Sequence, residues 1–167
     1  MCGRSFTFSY HAKAVNNPLL PALSIIWVDQ NIGTKATASA STQLLDYCAT
    51  YPDPGLQLRA SKLVLRIYSD ASYLSVRGDR SRAIGFFYLS NPSPAPDFNN
   101  TDTTTDLPPV NSAVHVLCVI LENAVALATK TEVGAVFVNY QDAIIIRHTL
   151  EDMRHPQPAT PIQFANQ

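Results

Sequence analysis

Asp70 ends an apolar-alternating run, Leu63-Val64-Leu65-Arg66-Ile67-Tyr68, that reads as a β-strand. An acid projected from a sheet strand is a poor structural choice and a good ligand for a hard cation. A second acid, Glu132, opens a long helical pattern about sixty residues later. Phosphodiester hydrolysis by two metals needs clustered carboxylates that hold two divalent ions roughly 4 Å apart, one activating water and one stabilising the leaving oxygen. A strand acid and a helix acid supply two such ligands. Near the chain's end, where a third acid would complete the set, the sequence reads Gln163-Phe164-Ala165-Asn166.

Each acid also fits a plainer role. Asp70 suits a turn, with Ala71-Ser72 leaving the strand. Thr129-Lys130-Thr131-Glu132 has the spacing of a capping box, in which hydroxyl and carboxylate satisfy free backbone amides. Asp102, Asp106, Asp142 and Asp152 read as loop or solvated-face acids. Arg59, Lys62, Arg66, Arg77, Arg80 and Arg82 are half of all Lys and Arg. Such a stripe suits phosphates, or a solvated sheet edge kept soluble by charge. His11, His115, His148 and His155 lack metal-ligand spacing. No Gly-rich phosphate loop and no nucleophile elbow occurs.

The elements that position these residues follow from period and breakers. The chain of 167 residues is long enough for a real core, and its net charge of −1 gives no strong pull towards nucleic acid or anionic membrane. Cys2, Cys48 and Cys118 show no CxxC spacing and read as reduced, buried thiols of an intracellular protein. The amino-terminus lacks the apolar stretch of a signal peptide, and no run reaches membrane-spanning length. The sequon Asn99-Asn100-Thr101 is therefore expected to stay unglycosylated.

Residues 1–52 look helical. Leu19, Leu20, Leu23, Ile26 and Trp27 recur at helical spacing, Gly33-Thr34 breaks the pattern, and a further helix carries Ala40, Leu44, Leu45 and Cys48 up to Pro52. From Leu56 the period becomes alternating. Leu56-Gln57-Leu58-Arg59 fits a short strand; beyond it 63–70 reads as the first confident strand, 82–89 as the second and 114–121 as the third, apolar enough to be buried on both faces. Residues 91–109, rich in Pro, Asp, Asn and Thr, read as a loop. A helix of about 24 residues follows, with Val133, Val136, Phe137, Tyr140, Ile144 and Leu150 as its apolar stripe. Pro161-Ile162-Gln163-Phe164 starts a last short strand. Helices followed by β-β-β-α-β predict an α+β fold with an antiparallel meander, a crossover helix and a strand returning in parallel. The expected division is a helical segment over 1–55 and a sheet domain over 56–167.

The chain resembles the reverse transcriptase–ribonuclease H part of copia-type LTR retrotransposon polyproteins. The resemblance rests on Tyr10-His11-Ala12-Lys13-Ala14-Val15 with Leu19-Leu20-Pro21-Ala22-Leu23, on Thr42 to Pro52, on Tyr68-Ser69-Asp70-Ala71-Ser72-Tyr73-Leu74 with Ser81 to Phe87, and on Lys130-Thr131-Glu132-Val133-Gly134-Ala135 followed by His155 to Gln163. It covers nearly the whole chain. It implies an RNase H-like mixed sheet and a ribonuclease that cuts RNA in an RNA–DNA hybrid with Mg²⁺, with Asp70 and Glu132 as the first two carboxylates. The third belongs in a Thr-Asp-Asn triplet that here reads Phe164-Ala165-Asn166, and alanine binds no metal. A fourth acid and a closing helix would lie beyond Gln167. The resemblance thus implies a vestigial site with weak or absent Mg²⁺ binding, little or no nuclease activity and weak contact with hybrid or other nucleic acid. It also implies an exposed strand edge open to self-association. A non-catalytic nucleic-acid-binding or protein-interaction module on the same scaffold is the alternative.

Overall fold

The alternating and helical periods resolve into separate layers. The computed structural model describes residues 2–30, 32–76, 79–92, 111–121 and 127–164. Its order is α1 (Cys2–Ala14), α2 (Leu19–Asp29), α3 (Lys35–Thr50), β1 (Val64–Val76), β2 (Arg80–Ser90), β3 (Ala113–Ile120), α4 (Ala128–Asp152) and β4 (Ile162–Phe164). The four strands form one mixed sheet in the order β3-β2-β1-β4. β1–β2 and β2–β3 are antiparallel and β4 joins β1 in parallel, so the chain is α+β with α4 as the crossover between β3 and β4.

Three differences from the expected elements have physical causes. Leu56 to Arg59 forms no strand. Its backbone is held instead by Ser112 and by Asn111, whose amide bridges Arg59 and the Leu89 carbonyl. β3 lies at the sheet edge rather than buried on both faces, and Val114 and Val119 are exposed. β1 does not end at Asp70: it pairs with β2 through Ala71 and Ser72 and resumes at Val76, so Asp70 is a mid-strand residue and not a turn. The loop read over 91–109 and the sequon lie almost wholly outside the described residues.

Pleating splits the sheet residues into two sets. Leu65, Ile67 and Phe87 pack with Ala143 and Leu150 of α4, while Ala71 and Ala83 join Ala135. The opposite face meets the amino-terminal helices, where Ala12, Leu19, Leu20 and Leu23 share a cluster with Ala113 and Val116 of β3. Residues of α1 and α2 therefore share a core cluster with the sheet. Thr34 caps α3 by accepting the Thr37 N–H at 3.2 Å, which fixes the helix start.

Helix α4 departs most from its expected face. Its buried stripe is Thr131, Ala135, Asn139, Ala143 and Leu150. Val133, Phe137 and Tyr140, expected inside, are 65%, 61% and 53% exposed. Small residues at four-residue spacing let the helix backbone approach the sheet closely, and that close fit decides the face over side-chain size. Asn139 is the anchor: its Nδ2 donates to Ser69 Oγ at 2.8 Å and to the Ile84 carbonyl at 3.0 Å. On the same side His115 Nε2 meets Asp142 Oδ2 at 2.9 Å, so Asp142 is a paired acid linking β3 to α4 rather than a solvated one.

Candidate active site

Asp70 stands opposite Ile84 in the β1–β2 ladder and is half-buried. Both of its neighbours are turned to α4: Ser69 accepts from Asn139, and Ala71 joins the cluster around Ala135. Strand alternation therefore directs Asp70 to the face away from α4. Its Oδ1 accepts the N–H of Ala71 at 2.8 Å.

Glu132 is also half-buried, and it lies at the same end of the sheet. Helix α4 runs antiparallel to β1, with Ala143 and Leu150 clustered with Leu65 and Ile67, Asn139 over Ser69, and Ala135 beside Ala71. The amino-terminus of α4 thus reaches the carboxyl end of β1. Glu132 is not part of a capping box, because the helix starts earlier than the motif implies. Its N-cap is Leu127, which provides no side-chain cap, and Thr131 Oγ1 donates back to the Leu127 carbonyl.

The β1–β4 register completes the local geometry. Ile162, Gln163 and Phe164 pair with Ile67, Tyr68 and Ser69. The described part of β4 stops one residue short of Asp70. Ala165, where the resemblance would put the third acid, lies outside the described residues. Among the described residues no group of three or more His, Cys, Asp or Glu side chains could hold a metal ion. Asp70, already accepting a backbone N–H, and Glu132 would by themselves leave incomplete the ligand set of two-metal hydrolysis, which needs oxygen ligands to bridge and flank both ions.

The approach to β4 is built by residues that patterning passed over. Gln157 replaces a missing strand partner at the start of β1: its Oε1 accepts the Leu65 N–H at 3.0 Å, and its Nε2 donates to the Leu63 carbonyl at 2.9 Å. Arg147 reaches from α4 to the carbonyls of Gln157 and Pro158 and to Thr160 Oγ1. Beside them lies a groove of about 470 Å³ lined by Tyr140, Ile144, Arg147, Ala159 and Ile162 among others. Pro156, Pro158 and Pro161, which remove backbone donors and straighten the segment, were the available signal for such side-chain support.

The basic stripe is split: Arg59 and Lys62 are exposed, whereas Arg66 and Arg82 are internal. Arg66 and Arg82 are 3% and 5% exposed, on the same face as Asp70, so they are not the solvated edge that their spacing suggests. Burial also pushes the Cys118 thiol up, against the opposing pull of Arg82 and of a hydrogen bond from Ser24. Cys48 and Cys118 are free and half-buried. Among the described residues no helix is long and apolar enough to cross a membrane. Comparison with protein-family models, with curated proteins and with solved structures finds no match to this chain.

Proposed function

We propose that this chain is an RNase H-like scaffold of the copia-type retrotransposon kind whose catalytic set is reduced to Asp70 and Glu132, and that it does not cleave RNA–DNA hybrids by itself. The observation that carries the reading is the register of β4. A three-strand meander, a crossover helix and a parallel strand bring the chain to within one residue of Asp70, and the next residue in sequence is an alanine. The remaining donors fall short of two-metal chemistry, so Mg²⁺ binding is weak and hybrid contact is weak with it.

The test is a labelled RNA–DNA hybrid incubated with the protein across Mg²⁺ and Mn²⁺ titrations. The expected result is no cleavage above that of the Asp70→Asn variant. Metal-dependent cleavage that Asp70→Asn abolishes would overturn the reading.

A second reading, an interaction module that pairs with a copy of itself, is favoured by one specific observation. Val133, Phe137, Tyr140 and Ile145 leave an apolar row exposed along α4, beside the three-residue edge strand β4.

A further inference from the structure

The sheet face turned away from α4 buries positive charge, Arg66 and Arg82. Arg66 is 3% exposed, and its Nε and Nη2 have no hydrogen-bond partner. Those two nitrogens form the edge with which a guanidinium grips an oxyanion through parallel N–H bonds. A buried charge with unmade bonds is among the costliest arrangements a core can hold.

The residues around it are donors too. The pairs Val64↔Ser90 and Arg66↔Tyr88 put Ser90 and Tyr88 on the face of Arg66, one register step apart. Ser90 is fully buried and its Oγ also lacks a partner. Tyr88 stacks on Tyr68 with ring centroids 5.3 Å apart, and its phenol interacts with both Tyr68 and Arg66. The acid on this face of β1 is Asp70, four residues along, about 13 Å at strand rise. It is too distant to neutralise Arg66.

We propose that Arg66, Ser90, Tyr88 and Tyr68 form a binding site for a phosphate group. The guanidinium edge takes two oxygens, and the three hydroxyls supply donors for the others. A planar carboxylate would leave those hydroxyls unused. This site is independent of the hybrid-cleavage reading, since it uses neither Asp70 nor Glu132.

The experiment has two arms at matched ionic strength, with chloride as the control: inorganic phosphate, and a short single-stranded oligonucleotide. Thermal unfolding and ³¹P line width are read together. Phosphate at a hundredfold excess over its Kd should raise the unfolding midpoint by roughly 5–10 °C. Arg66→Met should abolish the shift and Ser90→Ala should reduce it. A larger shift with the oligonucleotide at equal phosphate concentration identifies a nucleic-acid backbone as the source, and a shift with phosphate alone identifies a free phosphate. No shift in either arm, or equal shifts in wild type and both variants, overturns the site. Should Arg66→Met fail to fold, Ser90→Ala decides: ³¹P broadening equal to that of the wild type overturns the proposal.

Discussion

A methyl group at residue 85 would meet Asn139 Oδ1 at 2.1 Å and the Phe87 ring at 2.8 Å, so glycine is what lets Asn139 reach the sheet. The amide uses that access for two bonds, to Ser69 and to Ile84, and leaves Oδ1 buried without a partner. Gly85→Ala should therefore destabilise the fold by about 2–3 kcal/mol, the scale of overpacking a tight core. Asn139→Ala in the same background should recover part of that loss, because the two residues contend for one volume. Urea denaturation of the two single variants and the double variant measures the coupling, and simple additivity would refute it. Tyr88 gives a second residue-scale expectation. Burial foremost, then the Tyr68 hydroxyl, hold its phenol well above the ordinary 10.0, so the folded chain keeps a proton that the unfolded chain releases. The stabilising contribution is complete below pH 10 and is lost as pH rises above it. Urea midpoints should begin to fall at about pH 10, the free tyrosine value, and keep falling as pH rises above it, and Tyr88→Phe should flatten that fall.

At the scale of elements, the sequence disclosed which segments are strands or helices better than it disclosed which face each presents. β1, β2, β3 and β4 carry alternation that a strand reading finds, and the Gly33-Thr34 break separates α2 from α3 as expected. The face of α4 was misread because large apolar residues dominate a periodicity count, whereas Thr131, Ala135, Asn139 and Ala143 form the contact. Nothing in the sequence ranks a small polar stripe above a large apolar one until Gly85 and Ser69 are known to lie beneath it. The candidate acids were legible as to element: Asp70 on the central strand and Glu132 near the start of α4. Their faces were not, since the side of β1 that meets α4 is fixed by tertiary packing. The capping box failed for a local reason, the earlier start of the helix at Ala128. That start leaves a testable deficit. Leu127 has an extended N-cap conformation and is 57% exposed, but its side chain accepts nothing. Leu127→Asp should add a capping acceptor and a favourable charge at the helix amino-terminus, stabilising the fold by about 1 kcal/mol. An unchanged urea midpoint would show that this end of the helix gains nothing from a cap.

For the whole molecule, the two sides of α4 set the behaviour in solution. One side is spent on the sheet. The other carries Val133, Phe137, Tyr140 and Ile144, separated by four, three and four residues, with exposures of 65%, 61%, 53% and 36%. That spacing is the spacing of a helix-pairing seam, and Ile145 at 66% widens the row. The seam itself carries no charge, so two copies meet without repulsion. Each copy presents a single row of exposed apolar side chains, a small patch beside the roughly 1,000 Å² that specific interfaces bury as a minimum. The groove lined by Tyr140, Ile144 and Ile162 continues the surface to the β4 edge. Self-association should therefore be weak and concentration-dependent, and should run through α4 rather than through β3, whose exposed residues are the smaller Val114 and Val119. Sedimentation velocity across a hundredfold concentration range should show a monomer–dimer equilibrium in the wild type. Phe137→Gln with Tyr140→Gln should shift it to monomer while leaving the far-ultraviolet circular dichroism unchanged, because neither side chain contributes to the buried stripe. A dimer that survives both substitutions would move the interface to a strand edge.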